Sequence, residues 1–506
     1  MSLRHRTYAG SRSIARWDPS RPACLSISAF PVELLIEVFA DVVLAISVPS
    51  GLTWLTCNDP LNPWPYVVPA ARRDVLMSVC KVWREIVLAT PLLWTAVDVG
   101  PNSSLERLDS ALKRAWPHRV AITVNLLAPT RPHTHLLPLA LGVAEQSELL
   151  SFVFRRLASS ETRWSKLAIH AQEHSVIDTF LELLERRARP SLLHTFEIIC
   201  AAEEVKNAGN VHRQRSTFPP PLLTPRATGK EGLVSRACLL SSITLRGCRV
   251  DWGRVSAVIS PALTQLTLDH IMDRLPLDRL LAIIKLCSSL ESLRIGGAFM
   301  ARDDIASDGD AHARVVLPVL QNISLASVPP PETAALLDRL ETPVLRALSF
   351  DLPFHVVSVA AADYRAIVES LPSAYAGIPF EAVITLSLRA LGLSYPVSVP
   401  GIQQLFCSMH ALTYLFMDFR TLQVEFWLAL LATVATPNAL PTLKHLTVAG
   451  MSPLDVQEFI LLRQQRGLPK LYVTMYCKCG WSGLEDERKW TGWLQVNTLS
   501  CTMYAL

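Results

Sequence analysis

A Leu-x-x-Leu-x-Leu pattern recurs along most of this chain, and it restricts the fold more than any other feature does. The clearest starts are Leu240 (with Ile243 and Leu245), Leu263 (Leu266, Leu268), Leu290 (Leu293, Ile295), Leu320 (Ile323, Leu325) and Leu345 (Leu348, Phe350). Val383 (Leu386, Leu388), Leu412 (Leu415, Met417) and Leu443 (Leu446, Val448) continue it, and Leu468 (Leu471, Val473) closes it. Neighbouring starts lie 23 to 31 residues apart, except for the longer step from Leu345 to Val383. The last two apolar positions of each match are two residues apart, the period of a half-buried strand, and the spacers 277–286, 332–340 and 426–434 carry helical apolar spacing. A strand-plus-helix unit repeated at this length predicts stacked units with parallel strands, because the helix returns the chain to the same end of the sheet. Weaker starts at Trp164 (Leu167, Ile169) and Leu193 (Phe196, Ile198) place the beginning of the array before residue 200.

These matches resemble the strands of leucine-rich repeats. The expected fold class is therefore α/β, with residues 99–476 forming an irregular leucine-rich-repeat solenoid of strand-helix units on a parallel sheet. The asparagine common at the repeat turn is missing, so the curvature is not predictable. Residues 201–237, with Phe218-Pro219-Pro220-Pro221 and Thr224-Pro225, lack any usable period and are expected as a surface loop. Strand side chains alternate, so when the leucines point inward the intervening residues point outward. A concave face would display Thr244, Arg246, Thr267, Asp269, Arg294, Ser387, Arg389, Phe416 and Asp418. This mixed-charge surface is the default substrate site, and it suits a protein or peptide better than a nucleic-acid backbone.

Upstream, residues 30 to 43 place Leu34, Leu35, Val38, Phe39 and Val42 on one face of an amphipathic helix, with Pro31 where a first turn tolerates proline. A proline-rich segment follows. A second helix is expected from Arg73 to Ala89, with Leu76, Val79, Cys80, Val82, Trp83, Ile86 and Val87 as its apolar face, stopped by Thr90-Pro91. The strings Phe30-Pro31-Val32-Glu33-Leu34-Leu35, Val79-Cys80-Lys81-Val82-Trp83-Arg84-Glu85-Ile86 and Thr90-Pro91-Leu92-Leu93-Trp94 together resemble an F-box. The Thr-Pro-x-Leu-Trp ending is similar to those of the large F-box families of basidiomycete fungi. Phe30 stands where leucine is usual, Lys81 where arginine is common, and the insertion between the halves is long.

The resemblance implies that residues 26–98 form a small helical bundle docking on a Skp-type adaptor and, through it, on a cullin-RING ligase core. Pro31, Leu34, Leu35, Val38, Phe39, Val79, Cys80, Trp83, Ile86, Pro91 and Trp94 would carry that contact, and the repeats would hold a protein substrate. The implied role is that of a substrate-receptor subunit with no catalysis of its own. The alternative is a repeat scaffold acting outside ubiquitination, whose helical bundle is only a packing cap.

Composition agrees with a globular chain: 50% of the 506 residues are hydrophobic and 18% are charged. The net charge of +4 is too dispersed to imply nucleic acid or an anionic membrane as partner. No apolar run reaches the length of a bilayer span. The 11 cysteines are scattered from Cys24 to Cys501, several of them inside apolar patterns, and read as reduced thiols in a cytoplasmic or nuclear protein. Residues 1–25 read as a flexible N-terminus, and residues 477–506, with Trp481, Trp490 and Trp493, as a C-terminal cap. Cys477 and Cys479, with only Cys501 nearby, lack the paired spacing of a structural zinc site. The phosphate-cradling glycine loop, the His-Glu-x-x-His pair and the Gly-x-Ser-x-Gly elbow are all missing, so neither a catalytic residue nor a cofactor is expected.

Overall fold

The computed structural model describes residues 30–44, 69–101, 103–127, 142–187, 192–200, 240–252, 259–271, 275–297, 314–351, 377–389, 399–419, 422, 424–436, 440–477 and 484–505. The segment expected as a loop at 201–237, the prolines from Pro49 to Pro65, Cys479 and Trp481 lie outside them. Three helices come first, α1 (Val32–Leu44), α2 (Pro69–Val79) and α3 (Lys81–Ala89), followed by a 3-10 turn, Pro91–Trp94. Strands and helices follow: β1 (Ala96–Val99), α4 (Leu105–Arg114), β2 (Val120–Asn125), α5 (Val143–Leu157), β3 (Trp164–Ala171), α6 (His174–Arg187), β4 (Thr195–Cys200), β5 (Ser242–Arg246), β6 (Gln265–Asp269), α7 (Leu277–Lys285) and β7 (Ser292–Gly296). The chain continues through β8 (Val315–Val316), β9 (Asn322–Ala326), α8 (Pro330–Arg339), β10 (Leu340–Glu341), β11 (Ala347–Asp351), β12 (Thr385–Arg389), α9 (Val399–Ser408), β13 (Tyr414–Asp418) and α10 (Val424–Ala435). The last elements are β14 (His445–Ala449), α11 (Pro453–Gln465), β15 (Tyr472–Cys477), α12 (Leu484–Asn497) and β16 (Ser500–Ala505).

Fourteen of the strands form one sheet in chain order, each parallel to the next, while β8 and β10 pair with each other outside it. Register explains the leucine pattern. Ile243, Leu266 and Leu293 are successive partners across β5, β6 and β7, as are Leu245, Leu268 and Ile295, and all six are buried. The leading positions Leu240, Leu263, Leu290, Leu320, Leu345, Val383, Leu412 and Leu443 are buried as well. Each such side chain contributes about 1.5–3 kcal/mol when fully buried, so the stacked rows supply the core of an α/β fold built unit by unit. The long step from Leu345 to Val383 does not interrupt the stack, because β11 and β12 are direct neighbours.

Turns between units share one device. Gly247, His270, Gly297, Ser327 and Gly450 follow β5, β6, β7, β9 and β14 with φ of 63°, 49°, 76°, 57° and 78°. Each donates its amide to the next strand in the sheet: to Asp269, Gly296, Ala326, Asp351 and Tyr476, at 2.6 to 3.0 Å. This left-handed residue carries the backbone ladder on past the strand end. At Gly247 an added Cβ would lie 2.5 Å from the Cys200 carbonyl, so glycine is required there by both space and φ.

Three expectations need correction. The closing match at Leu468 (Leu471, Val473) is out of register: Val473 pairs with Leu446 and Met475 with Val448, so Lys470 holds the leading position. Gly467 (φ 68°) ends α11 and Leu468 donates back to the Arg463 carbonyl, which places Leu468 before the strand rather than on it. Likewise, Arg73 to Ala89 is not one helix. Cys80 is extended (φ −158°, ψ 170°) and caps α3, its Sγ accepting from the Trp83 amide, so Ile86 and Val87 swing inward onto α1. The sheet also reaches beyond 99–476 at both ends, since β1 begins at Ala96 and β16 lies within 477–506. Trp493 packs against the core near the buried Leu494.

Candidate functional site

Two surfaces carry the residues singled out by sequence. The first is the helical unit. Along α1 the apolar residues divide into two lines, each spaced by four: Leu35, Phe39 and Val43 are buried, whereas Leu34, Val38 and Val42 are 46%, 54% and 44% exposed. Phe39 packs on Trp83 with ring centroids 4.7 Å apart. On α2 and α3 the valines Val75, Val79 and Val82 are exposed too, as is Cys80. A helix whose apolar residues exceed its own packing face leaves the surplus for a partner.

Of the residues the F-box resemblance implies for adaptor contact, Pro31, Leu34, Val38, Val79 and Cys80 are exposed, and Trp83 and Pro91 are half-buried. Leu35, Phe39, Ile86 and Trp94 lie in the core and are unavailable to a partner. The resemblance implies a partner contact for them too, but a three-helix unit needs an interior of its own. Trp94 is the clearest case. Its Nε1 donates to the Val87 carbonyl at 2.8 Å, and the Arg73 and Arg114 guanidinium groups lie 4.9 and 4.6 Å from its ring centroid. Buried Arg73 also donates to the carbonyls of Leu93 and Ala96, at 3.0 and 2.8 Å. Burial lowers its pKa while Asp98 and Asp74 work the other way. Arg73 and Trp94 thus tie the helical unit to the first strand.

The second surface is the sheet face opposite the leucines. Thr244, Arg246, Thr267, Arg294 and Arg389 are partly exposed, whereas Asp269, Ser387, Phe416 and Asp418 are buried. The long side chains lie across the short ones. Asp269 sits 3.7 Å from both Arg246 and Arg294, its carboxylate filling the space a Cβ on Gly296 would need. Arg294 reaches the Ser324 hydroxyl at 3.0 Å, and Arg389 covers the Phe416 ring at 4.6 Å. Burial pushes the Asp351 carboxyl up, against the pull of Arg389 and Arg294. The Phe416 ring is therefore screened by a guanidinium, and around it this face offers charge and hydroxyl groups.

Two features of this face were not anticipated. Tyr414, His445 and Tyr472 are register partners on β13, β14 and β15 and stack in a ladder, with centroids 4.3 and 4.7 Å apart. Their shared position just ahead of each second inward residue was the available signal. Glu197 on β4 accepts from Lys166 at 2.8 Å and His170 at 2.9 Å. Burial works against its charge, but these two partners prevail and hold its carboxyl at about 2. Its contribution to stability is complete above pH ~4.5 and lost as pH falls toward ~2, on the order of 2–3 kcal/mol. In acid denaturation followed by circular dichroism, Glu197→Gln will lose less stability than the parent across that window. Equal slopes in the two proteins would show that no such carboxyl exists.

No helix among the described residues is long and apolar enough to cross a membrane, and among them no three His, Cys, Asp or Glu side chains gather as a metal site. Compared with known proteins, the chain matches no protein-family model and no curated sequence.

Proposed function

We propose that this protein is a substrate-receptor subunit of an SCF-type ubiquitin ligase, acting in the cytoplasm or nucleus. In this reading the helical unit is an F-box that docks on a Skp-type adaptor, and the sheet is a leucine-rich-repeat solenoid whose outer face binds a protein substrate. The chain itself catalyses nothing and contributes proximity. The exposed line Leu34, Val38 and Val42 is the observation that carries it, because α1 has already satisfied its own core with Leu35, Phe39 and Val43. On the receiving side, Thr244, Arg246, Thr267, Arg294 and Arg389 offer polar and cationic groups suited to a peptide.

Capture of a recombinant Skp-type adaptor by the full chain tests the docking half. The double variant Leu34→Glu, Val38→Glu should bind more than about a hundredfold more weakly, since two apolar anchors are lost, with an unchanged circular-dichroism spectrum. A parent chain that captures no adaptor removes the proposal. The buried Leu35 and Phe39 and the Arg73–Trp94 tie favour a second reading, a scaffold in which the helical unit caps the first strand. Under it, the double variant binds every partner of the parent equally well.

A further inference from the structure

Every connection from a helix into the following strand of a parallel sheet lies along one edge, so residues distant in sequence become neighbours there. Two successive connections are basic. Lys113-Arg114-Ala115-Trp116-Pro117-His118-Arg119 leads from α4 into β2, and Arg155-Arg156 in the last turn of α5 is followed by Arg163 at the entry to β3. Val120 and Trp164 are register partners, so Arg119 and Arg163 enter adjacent strands side by side. At the same edge, α6 ends on Arg186-Arg187.

Arg163 joins the two connections. It donates to the carbonyls of His118 and Leu112, at 3.0 and 3.4 Å, and its guanidinium lies 4.9 Å from the Trp116 ring centroid. Even so, Trp116 is 65% exposed, and Pro117, His118 and Arg119 after it are exposed too, so the indole stands on a protruding tip. Lys113, Arg114, Arg155 and Arg156 are exposed on the same edge. Cations in a last helical turn offset the helix dipole, which accounts for those four. The dipole accounts neither for Arg119 nor for an indole held out in water. Asp109 pairs with Arg156 at 3.1 Å, whereas Lys113, Arg119 and Arg155 have no carboxylate partner among the described residues.

We propose that this basic edge is a peripheral membrane-contact site, with Trp116 seated among the headgroups of an anionic lipid surface and Lys113, Arg119 and Arg155 lying against the headgroup charges. The occupant follows from shape and charge together. A protruding tip meets a plane, whereas a nucleic-acid strand lies along a groove lined by several aromatic rings. Indole rings settle at the headgroup level, and clustered lysine and arginine are drawn to anionic leaflets. The net charge of +4 concealed this surface, because the fold collects cations from 113–119 and 155–163 that are diluted along the sequence. The inference is independent of any role in ubiquitination.

Sedimentation of the full chain with sucrose-loaded vesicles tests it, comparing phosphatidylcholine alone with phosphatidylcholine carrying about 30% phosphatidylserine. The parent should bind the anionic vesicles and ignore the neutral ones. Each basic residue near such a surface is worth about fivefold in affinity, so the double variant Arg119→Glu, Arg155→Glu should bind at least about a hundredfold more weakly. Trp116→Ala should cost about tenfold, and both variants should keep the circular-dichroism spectrum of the parent. A parent that binds neither vesicle, or both alike, overturns the proposal, as does either variant that binds as tightly as the parent. A parent that ignores vesicles but binds single-stranded polyuridylate or polyglutamate assigns the edge to that polyanion and overturns it as well. Should the double variant misfold, the parent decides. Release from anionic vesicles at about 1 M salt, where the Debye length is ~3 Å, supports the contact, and full retention overturns it.

Discussion

Trp94→Ala will destabilise the helical unit and the first strand together, by about 3–5 kcal/mol, the usual cost of truncating a buried tryptophan. Three losses coincide. The ring leaves a cavity at a position only 6% exposed, the Val87 carbonyl loses the indole donor, and Arg73 and Arg114 lose the surface on which they rest. Urea denaturation followed at 222 nm should show an early transition in the variant corresponding to α1, α2 and α3. Trp94→Phe keeps most of the packing and loses only the indole bond, so it should cost about 1–2 kcal/mol. If Trp94→Ala unfolds within about 1 kcal/mol of the parent, the helical unit is not tied to the sheet in this way.

At the other end of the array the comparable residue is Arg463, whose side chain is almost fully buried although α11 is a surface-forming helix. Its guanidinium donates to the carbonyls of Leu440 and Leu443 at 3.2 Å and of Pro469 at 3.4 Å, and lies 5.9 Å from the Phe459 ring centroid. Leu440 has a φ of 48°, and its carbonyl also accepts the Leu443 amide of its own turn at 3.4 Å. Burial lowers the Arg463 pKa to about 10, which leaves it charged at neutral pH. Arg463→Met preserves volume but takes the guanidinium donor from the buried carbonyls of Leu440 and Leu443, and we expect a loss of about 3 kcal/mol after relief of the buried charge is counted. Thermal unfolding measures it. A variant as stable as the parent would show that those carbonyls find other partners.

The stacked core was legible because its signal is local and repeated. Leucine at a fixed offset, followed by alternation, marks inward positions whatever the neighbouring unit contains, and spacers such as 277–286 announced their helices through apolar period alone. Where leucine was absent, the same structure went unread. β1, β2 and β16 are built on Val97, Ile122 and Cys501 in the same register and gave no repeat match. At β15, leucine identity misled, because Leu468 and Leu471 imitate a start that hydrogen-bond register assigns to Lys470. The break at Cys80 was hidden because a cysteine cap lacks the oxygen that usually announces one.

The candidate sites divide along the same line. Sequence by itself determined that residues 30–43 gather their apolar residues on one helical face, and that Thr244, Arg246 and Arg294 point away from the leucines. Both follow from the geometry of a single element. Which half of that face turns inward, and that Arg389 would lie over Phe416 and Asp269 over Gly296, only the tertiary structure decided. A side chain's direction is set by its own backbone, but its burial is set by neighbours distant in sequence.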